Sequence, residues 1–272
     1  MILFDRLRKD FPTAKRQTLK RMVQDRRVLI NNIPASKLTQ PIQPNDRIEI
    51  AQAKKSPRPT LPFPILSEDD DILVIEKPAG LLTSTVPREP RPTALAAITR
   101  YLQATAPGAH VGLIHRLDRD ASGLLVFSKN RAAYTSLKQQ FFHHTVTRIY
   151  HAIVSPPPPQ DSGRIESRLI ERADGTVHST RQASKGQLAI TDYTILKRQK
   201  DEALLKIALQ TGRKHQIRVH LSESGSPIVG DTTYGGKPHD NLQLTAVELA
   251  FDHPRTKKRV TFPATKKPTA SR

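Results

Sequence analysis

The stretch that decides the fold runs from residue 115 to residue 127 and reads His-Arg-Leu-Asp-Arg-Asp-Ala-Ser-Gly-Leu-Leu-Val-Phe. Residues 124 to 127 form an apolar run typical of a short buried strand, and the Ser-Gly pair before them predicts a turn. Asp118 therefore lies in the loop that leads into the strand, between Arg116 and Arg119. Because nearby positive charge favours an ionised carboxyl group, this aspartate is a candidate for chemistry. The alternative is a surface turn with an ordinary ion pair.

Positive charge is concentrated at the two ends of the 272-residue chain. The chain has 44 Lys and Arg against 25 Asp and Glu, a net charge of +19. Residues 1 to 60 hold 14 basic and 5 acidic residues, residues 255 to 272 hold 7 basic and none acidic, and the middle is close to balance. Segregated charge indicates that the ends bind a polyanion, with nucleic acid as the first candidate. The alternative is charge that only keeps the protein soluble.

The composition also excludes several kinds of protein. The chain has no cysteine, so disulfides and thiolate metal sites are excluded and a reducing compartment is compatible. No apolar run approaches the length needed to span a membrane. The first residues lack the basic-then-apolar order of a signal peptide. We therefore expect a cytoplasmic protein without a membrane partner.

Composition and periodicity divide the chain into four parts. In the first part, a helix capped by Thr13 and ending near Asp25 is predicted, followed by strands around Val28 and Ile48 with an Asn-Asn turn after the first. The second part, Lys-Lys-Ser-Pro-Arg-Pro-Thr-Leu-Pro, is typical of an extended linker. The parts are a small basic module, the Pro-rich linker, a large middle and a basic tail, at residues 1–53, 54–62, 63–264 and 265–272.

The large middle part is rich in strand patterns. A helix is predicted at residues 130–142 from its apolar spacing. Apolar or alternating runs predict strands at residues 72–75, 124–127, 148–154, 190–196, 203–209 and 260–262. The spacing of these runs and their turns predicts an α+β fold with a mixed, largely antiparallel sheet.

Four segments of the middle part resemble, in the same order, the motifs of the RluA-type pseudouridine synthases. The opening stretch resembles the catalytic motif His-Arg-Leu-Asp-x-x-Thr-Ser-Gly-Leu, with Ala121 in place of Thr. The run Glu-Lys-Pro-Ala-Gly-Leu resembles Asn-Lys-Pro-x-Gly-Leu, with Glu76 in place of Asn. The other two matches are a basic-x-Tyr-x-Ala segment and a long third motif, at residues 148–152 and 211–235. The resemblance implies an isomerase that converts uridine to pseudouridine in RNA.

The resemblance also implies roles for individual residues. Asp118 matches the essential aspartate, Tyr150 the tyrosine that packs against the target base, and Arg218 the arginine that pairs with the aspartate. Arg116 matches the arginine that fills the gap left by a flipped uridine, and Leu244 an apolar pocket residue. The implied catalytic residues are thus Asp118, Tyr150 and Arg218, and the implied substrate-binding residues are Arg116, His115 and Leu244.

The basic N-terminal module resembles the small RNA-binding domain named after the fourth protein of the small ribosomal subunit. The matching features are the basic helix, the run Arg-Val-Leu-Ile-Asn-Asn and the later run Asn-Asp-Arg-Ile-Glu-Ile. Such a domain presents basic residues to structured RNA. The resemblance implies RNA contacts from Lys15, Arg16, Lys20, Arg21 and Arg27.

The chemistry implied by the resemblance breaks the bond from ribose to uracil nitrogen and remakes it to carbon-5. No cofactor and no metal are expected, because a carboxylate and an arginine suffice for an isomerisation without redox change. A hydrolase built on Ser122, His115 and Asp118 lacks the glycine that precedes a nucleophile elbow. A zinc site is disfavoured because His215 and His220 are five residues apart and the chain has no cysteine.

The remaining alternatives concern the RNA partner. A basic accessory module favours large folded RNA, so large-subunit ribosomal RNA is expected and transfer RNA is the alternative. A non-catalytic RNA-binding or ribosome-assembly factor is the alternative from another class of protein, and the complete set of catalytic residues argues against it. A monomer is expected.

Overall fold

The structure is a computed structural model that describes residues 1–51, 59–85, 90–106, 108–182 and 184–268. The chain divides into two compact units, Met1–Pro57 and Arg58–Arg272. Residues 54–58 of the predicted linker and 269–272 of the predicted tail lie outside the described residues. Across the described ranges, no helix combines the length and the apolar character needed to cross a membrane.

The first unit is a helix pair with a small antiparallel sheet of strand order β2-β1-β3. Asn31 and Asn32 adopt left-handed backbone angles, φ 51° and 68°, which suits the tight turn between β1 and β2. The predicted cap at Thr13 is wrong, because α2 begins at Arg16 with Lys15 before it, and α1 was not predicted. The elements are α1 (Leu3–Asp10), α2 (Arg16–Gln24), β1 (Val28–Ile30), β2 (Ile33–Pro34) and β3 (Ile48–Ile50).

The second unit is built on one 11-stranded sheet with three helices, and the predicted α+β fold is confirmed. All six predicted strands and the predicted helix are present, whereas α3, α5, β4, β6, β9, β10 and β13 were not predicted. Its elements are β4 (Ile65–Glu68), β5 (Ile72–Lys77), α3 (Ala94–Gln103), β6 (Gly112–Leu113), β7 (Ser122–Ser128), α4 (Arg131–Phe142), β8 (Thr147–Val154), β9 (Ser162–Glu171), β10 (Val177–Thr180), β11 (Gln187–Arg198), β12 (Ala203–Leu209), α5 (Gln216–Glu223), β13 (Leu244–Asp252) and β14 (Arg259–Pro263).

Strand β13 joins the two halves of the sheet. The main order is β10-β9-β11-β12-β8-β13-β7-β5-β4, with β14 paired to β13 and β6 paired to β7. Strand β13 runs parallel to β7 and antiparallel to β8. Among the described strands, β7 and β8 are therefore connected by hydrogen bonds only through β13.

The start of β7 depends on a glycine. Ser122 and Gly123 belong to the strand, so the turn predicted at these two residues is wrong. Gly123 has φ 109°, a backbone angle that side chains disfavour. The backbone of Ala246 on β13 occupies the space that a Cβ at this position would need. Glycine therefore allows β7 and β13 to approach closely where the loop of residues 115–121, which carries the predicted catalytic Asp118 (the catalytic loop), enters the sheet.

Helix α5 is buried on all sides. Every residue from 216 to 221 is buried, including Gln216, Arg218 and His220. Gln216 donates to the Ile190 carbonyl at 2.9 Å, and His220 is hydrogen-bonded to the Thr191 hydroxyl at 2.9 Å. These contacts hold α5 against β11 and place the arginine between them beside the catalytic loop.

Candidate active site

The loop before β7 forms one side of a cavity of about 940 Å³ in the second unit. The Thr83 hydroxyl donates to the Leu117 carbonyl at 2.8 Å, which holds the loop from one side. Lys77 is completely buried beneath it, and its ammonium donates to the carbonyls of Pro78, Leu81 and Arg119 at 2.8 to 2.9 Å. Burial lowers the pKa of Lys77 to about 8. These two side chains fix the backbone on both sides of Asp118.

Arg218 connects two carboxylates. It forms a bidentate ion pair with buried Asp231 at 2.7 and 2.8 Å, and its Nη1 lies 3.6 Å from Asp118 Oδ2. Burial opposes the charge of Arg218, but the two aspartates outweigh burial and raise the pKa of this guanidinium. The predicted pair of Arg218 with Asp118 is present as the longer of the two contacts, while Asp231 is the main partner.

Tyr234 and His215 pack around the buried arginine. The Arg218 guanidinium lies over the Tyr234 ring, 4.9 Å from its centroid. The Tyr234 hydroxyl accepts a hydrogen bond from the Val177 amide at 2.8 Å and lies 2.7 Å from His215 Nδ1. Burial lowers the pKa of His215, which favours the neutral ring. The hydrogen bonds of the Tyr234 hydroxyl to the Val177 amide and to His215 hold Tyr234 against Arg218.

Tyr150 and Leu244 line the same cavity from the sheet. Tyr150 on β8 pairs with Ala246 on β13, two residues beyond Leu244 at the start of that strand. Both side chains are buried, with exposed fractions of 6% and 3%. Burial raises the pKa of the Tyr150 hydroxyl, so the phenol stays protonated at neutral pH. Together they provide an apolar wall within the cavity that also contains Asp118.

The two remaining predicted substrate-binding residues differ in their surroundings. Arg116 is exposed at the cavity. His115 stacks on Phe141 with ring centroids 4.7 Å apart, and its Nε2 accepts from the Val126 amide at 3.2 Å. Burial and neighbouring Arg148 lower the pKa of His115 to about 3. Its neutral ring thus supports the loop, and this nitrogen is already occupied by the protein.

The predicted RNA-binding cations lie in the first unit. Lys15 and Lys20 are exposed on or beside α2. Arg16 lies over the Phe4 ring at 5.0 Å, and Arg21 is 3.9 Å from Asp25. Arg27 is partly buried and donates to the Ala51 carbonyl at 3.2 Å. Four of the five are therefore exposed, and Arg27 is partly engaged in the fold.

One cluster has the composition of a metal site. Asp69, Asp71 and His253 bring possible ligand atoms within 4.8 Å of one another. His253 Nε2 lies 2.9 Å from Asp69, and Asp71 accepts from Arg255 at 2.6 Å and from Asn130 at 2.8 Å. The ion pair with Arg255 lowers the pKa of Asp71. These hydrogen bonds and the ion pair link β5, α4 and the end of β13.

Sequence reasoning assigned no role to three residues that organise the site. Asp231 and Tyr234 were noticed only as parts of a motif, and Lys77 only as part of a turn. A signal was present, because a charged residue in an apolar or glycine-rich turn needs a partner when the turn is buried. The sequence alone does not show which residue is the partner of each charge. In the structure Asp231 pairs with Arg218, the arginine that was expected to pair with Asp118.

The α+β fold and a cavity that holds, among the described lining residues, one carboxylate and several cations are the features of an enzyme with an anionic substrate. The chain belongs to the RNA pseudouridylate synthase family, whose model matches residues 71–223. It is therefore an isomerase that acts on RNA.

Several known proteins are similar to most of the chain. An uncharacterized RNA pseudouridine synthase, YlyB of Bacillus subtilis, is 34% identical over 92% of this chain and 85% of its own length. The ribosomal large subunit pseudouridine synthase D of Haemophilus ducreyi is 33% identical over 84% of this chain and 71% of its own. In fold, human RNA pseudouridylate synthase domain containing 4 matches with a TM-score of 0.63 at 24% identity, over 75% of this chain and 88% of that one.

Proposed function

We propose that the protein converts specific uridines to pseudouridine in large-subunit ribosomal RNA and that Asp118 is its catalytic residue. The observation that carries the proposal is the contact of Asp118 with buried Arg218 at 3.6 Å, inside a cationic cavity. The target is supported by relatives named as ribosomal large subunit pseudouridine synthases.

The proposed reaction begins with the Asp118 carboxylate acting on the ribose of the target. The bond from ribose carbon-1′ to uracil nitrogen-1 breaks, the uracil turns, and a bond forms from carbon-1′ to carbon-5. The proton on carbon-5 is released to water and nitrogen-1 gains a proton, so the atoms and electrons balance without an oxidant. Arg218 keeps the carboxylate oriented, because Asp231 and Tyr234 fix the guanidinium.

The proposed binding of the target requires a flipped nucleotide. An enzyme that acts on a base in folded RNA must take it out of the stack, which costs a few kcal/mol. Tyr150 and Leu244 would hold the free uracil between apolar surfaces, so that it turns without leaving the cavity. Arg116 is exposed at the cavity and would fill the space left in the RNA. His115 would contribute by supporting the loop from behind.

The first unit is proposed to bind RNA and not to take part in the chemistry. Its helices and three-stranded sheet are compatible with the small ribosomal-protein-like RNA-binding domain proposed for residues 1–53, with residues 54–62 as linker and 63–264 as catalytic domain. Lys15, Arg16, Lys20 and Arg21 would contact phosphates. We further propose that the protein is a monomer and acts in the cytoplasm on ribosomal RNA.

The test measures conversion directly. Large-subunit ribosomal RNA, folded beforehand and carrying tritium at uracil carbon-5, should release tritium to water with the wild-type protein, with or without a chelator. The matched substrate is transfer RNA labelled in the same way. Pseudouridines mapped in total RNA from cells with and without the gene should differ in large-subunit ribosomal RNA. Release from transfer RNA alone would overturn the proposed target, and no release from any cellular RNA would overturn the reaction.

A further inference from the structure

Arg148 on β8 is a cation that the fold leaves poorly satisfied. Its Nε is buried without a hydrogen-bond partner, and Nη2 reaches only the Leu209 carbonyl at the long distance of 3.5 Å. No carboxylate of the described residues lies within ion-pair distance of the guanidinium. Burial lowers the pKa of Arg148, which is the expected effect of a charge removed from water. A charge that is largely removed from water and has no ion-pair partner is unfavourable in the free protein.

The surroundings of Arg148 mark it as part of the catalytic cavity. Among the described residues that line the cavity, seven side chains are cationic and Asp118 is the one anionic side chain. Arg119, Lys214 and Arg218 are paired with carboxylates. Among the other four, Arg116, Lys138 and Arg213 are exposed, and water can solvate them. Arg148 alone in this set is both unpaired and largely withdrawn from water.

The guanidinium of Arg148 is also held in place. The guanidinium lies over the Phe141 ring, 5.6 Å from the ring centroid. The same Phe141 ring also stacks on His115. Its Nη1 is next to exposed Gly212, where a Cβ would approach to 2.5 Å. Because Gly212 has no side chain, the guanidinium can lie directly against its backbone, on a wall of the cavity. An arginine fixed in this way loses little freedom when it binds an anion.

We propose that Arg148 is a substrate-contacting residue whose guanidinium binds a backbone phosphate of the RNA next to the target uridine. The inference rests on the proposed use of the cavity for the target nucleotide. A phosphate is favoured over a uracil carbonyl because only an anion neutralises the unpaired charge. The geometry of a guanidinium also suits two phosphate oxygens. Arg148 lies two residues before Tyr150 on the same strand, so one strand would bind the base and its phosphate.

The first experiment uses the full chain with Arg148→Met, Arg148→Lys and Gly212→Ala. Binding is measured against salt on an RNA fragment containing a uridine that the wild-type protein converts. Arg148→Met should weaken binding by about 10- to 100-fold, as expected for a charged hydrogen bond. It should also reduce the salt slope by about 0.7 to 0.9, the value for one lost phosphate contact. Arg148→Lys should keep the slope and recover part of the affinity.

Two variants separate a phosphate contact from a general loss of charge or fold. Arg131→Met removes one exposed positive charge from the start of α4, outside the cavity, and should leave affinity nearly unchanged. Gly212→Ala keeps the charge of Arg148 but places a methyl group against Nη1, so it should weaken binding as Arg148→Met does. Thermal unfolding of each variant identifies any loss of the folded state.

The second experiment locates the phosphate. Neutral methylphosphonates replace, one at a time, the phosphates on either side of the target uridine. One replacement should weaken binding to the wild-type protein and have no further effect in folded Arg148→Met. Equal losses in both proteins at every position, or an unchanged salt slope, would overturn the inference. Conversion is measured separately, so a wild-type protein that binds but does not convert ribosomal RNA would contradict the proposed function instead.

Discussion

At the residue scale, Asp118 is the group whose removal should separate chemistry from RNA binding. Asp118→Asn keeps the volume of the side chain but removes the reactive carboxylate, so tritium release should fall below detection. RNA affinity should stay similar or rise slightly, because no phosphate contact is lost. Asp120→Asn is the matched control: it lies two residues away and pairs with Arg119 at 2.8 Å. Turnover by Asp118→Asn, or equal loss in both variants, would contradict the proposed role.

Asp231 is expected to matter almost as much without touching the substrate. Asp231→Asn leaves a buried arginine without its bidentate partner, which should destabilise the fold by about 3 kcal/mol. The rate at saturating RNA should fall by about 100-fold, because Arg218 no longer holds Asp118 in place. Urea unfolding and single-turnover rates measure the two effects.

The control for Asp231 is an exposed ion pair of similar length. Asp161 accepts from Arg198 at 2.8 Å, and its side chain is 85% exposed. Asp161→Asn should change the free energy of unfolding by less than about 1 kcal/mol and leave the rate unchanged. If Asp231→Asn behaved like this control, Arg218 would not depend on Asp231 for its position.

The sequence singled out Asp118, Tyr150 and Arg218 as candidate site residues because each belongs to a local motif, and the structure brings all three to one cavity. It did not predict the main partner of Arg218, since Asp231 is 13 residues away and the pairing depends on how α5 packs. It also placed His115 with the substrate, whereas the ring is bonded to the backbone of β7. The partner of a buried charge depends on how elements that are distant in sequence pack together.

At the element scale, the entry of the catalytic loop into β7 depends on Gly123. Gly123→Ala should destabilise the protein by more than about 3 kcal/mol, because it combines a disfavoured φ with a clash against Ala246. Gly80→Ala is the control, since Gly80 has φ 81° but nothing within 4 Å of a new Cβ. It should cost only about 1 kcal/mol. If urea unfolding gave the same loss of stability for Gly123→Ala and Gly80→Ala, β13 would be able to move aside for a side chain at position 123.

Helix α5 should make stability sensitive to acid through His220. Burial lowers the pKa of His220 to about 4, against an ordinary value of about 6.5. Between these values the unfolded chain binds a proton that the folded protein does not, so stability should fall as pH falls from 6.5 to 4. His220→Gln should reduce the slope by about 1.4 kcal/mol per pH unit. Urea unfolding at several pH values measures it, and an unchanged slope would contradict a neutral His220.

Helix α4 was predicted from its period, whereas α1 and α3, which are also amphipathic, and α5 were not predicted. Helix α4 has Ala133 and Leu137 on one buried side and Asn130 as its cap, which are signals visible in sequence. Helix α5 is buried on every side, so no polar face marks its period. Strand β9 alternates exposed and partly buried residues with many charges, which resembles a loop in composition. The sequence did not predict α5 and β9, because their burial depends on packing against distant parts of the chain and not on a local periodic pattern.

At the scale of the whole molecule, the cations of the first unit should set affinity without affecting chemistry. A variant with Lys15, Lys20 and Arg21 replaced by Gln should have a salt slope lower by about 2, because each lost phosphate contact releases fewer counterions. Its rate at saturating RNA should match the wild type. The control removes the same charge from exposed residues of the second unit: Arg131, Arg172 and Lys200. If the two variants had equal salt slopes, RNA affinity would depend on the total charge of the protein and not on the position of these cations.

The position of β13 has a consequence for how the protein is made. Strands β4 to β12 leave the ribosome before residues 244 to 252, yet β13 is the strand that joins their two halves. Until it arrives, β7 and β8 each present an unpaired edge, and exposed edges favour pairing with other chains. Such long-range pairing is also slow. Chains interrupted before β13 should therefore aggregate and require chaperones, and the cavity between the halves should form last during biosynthesis.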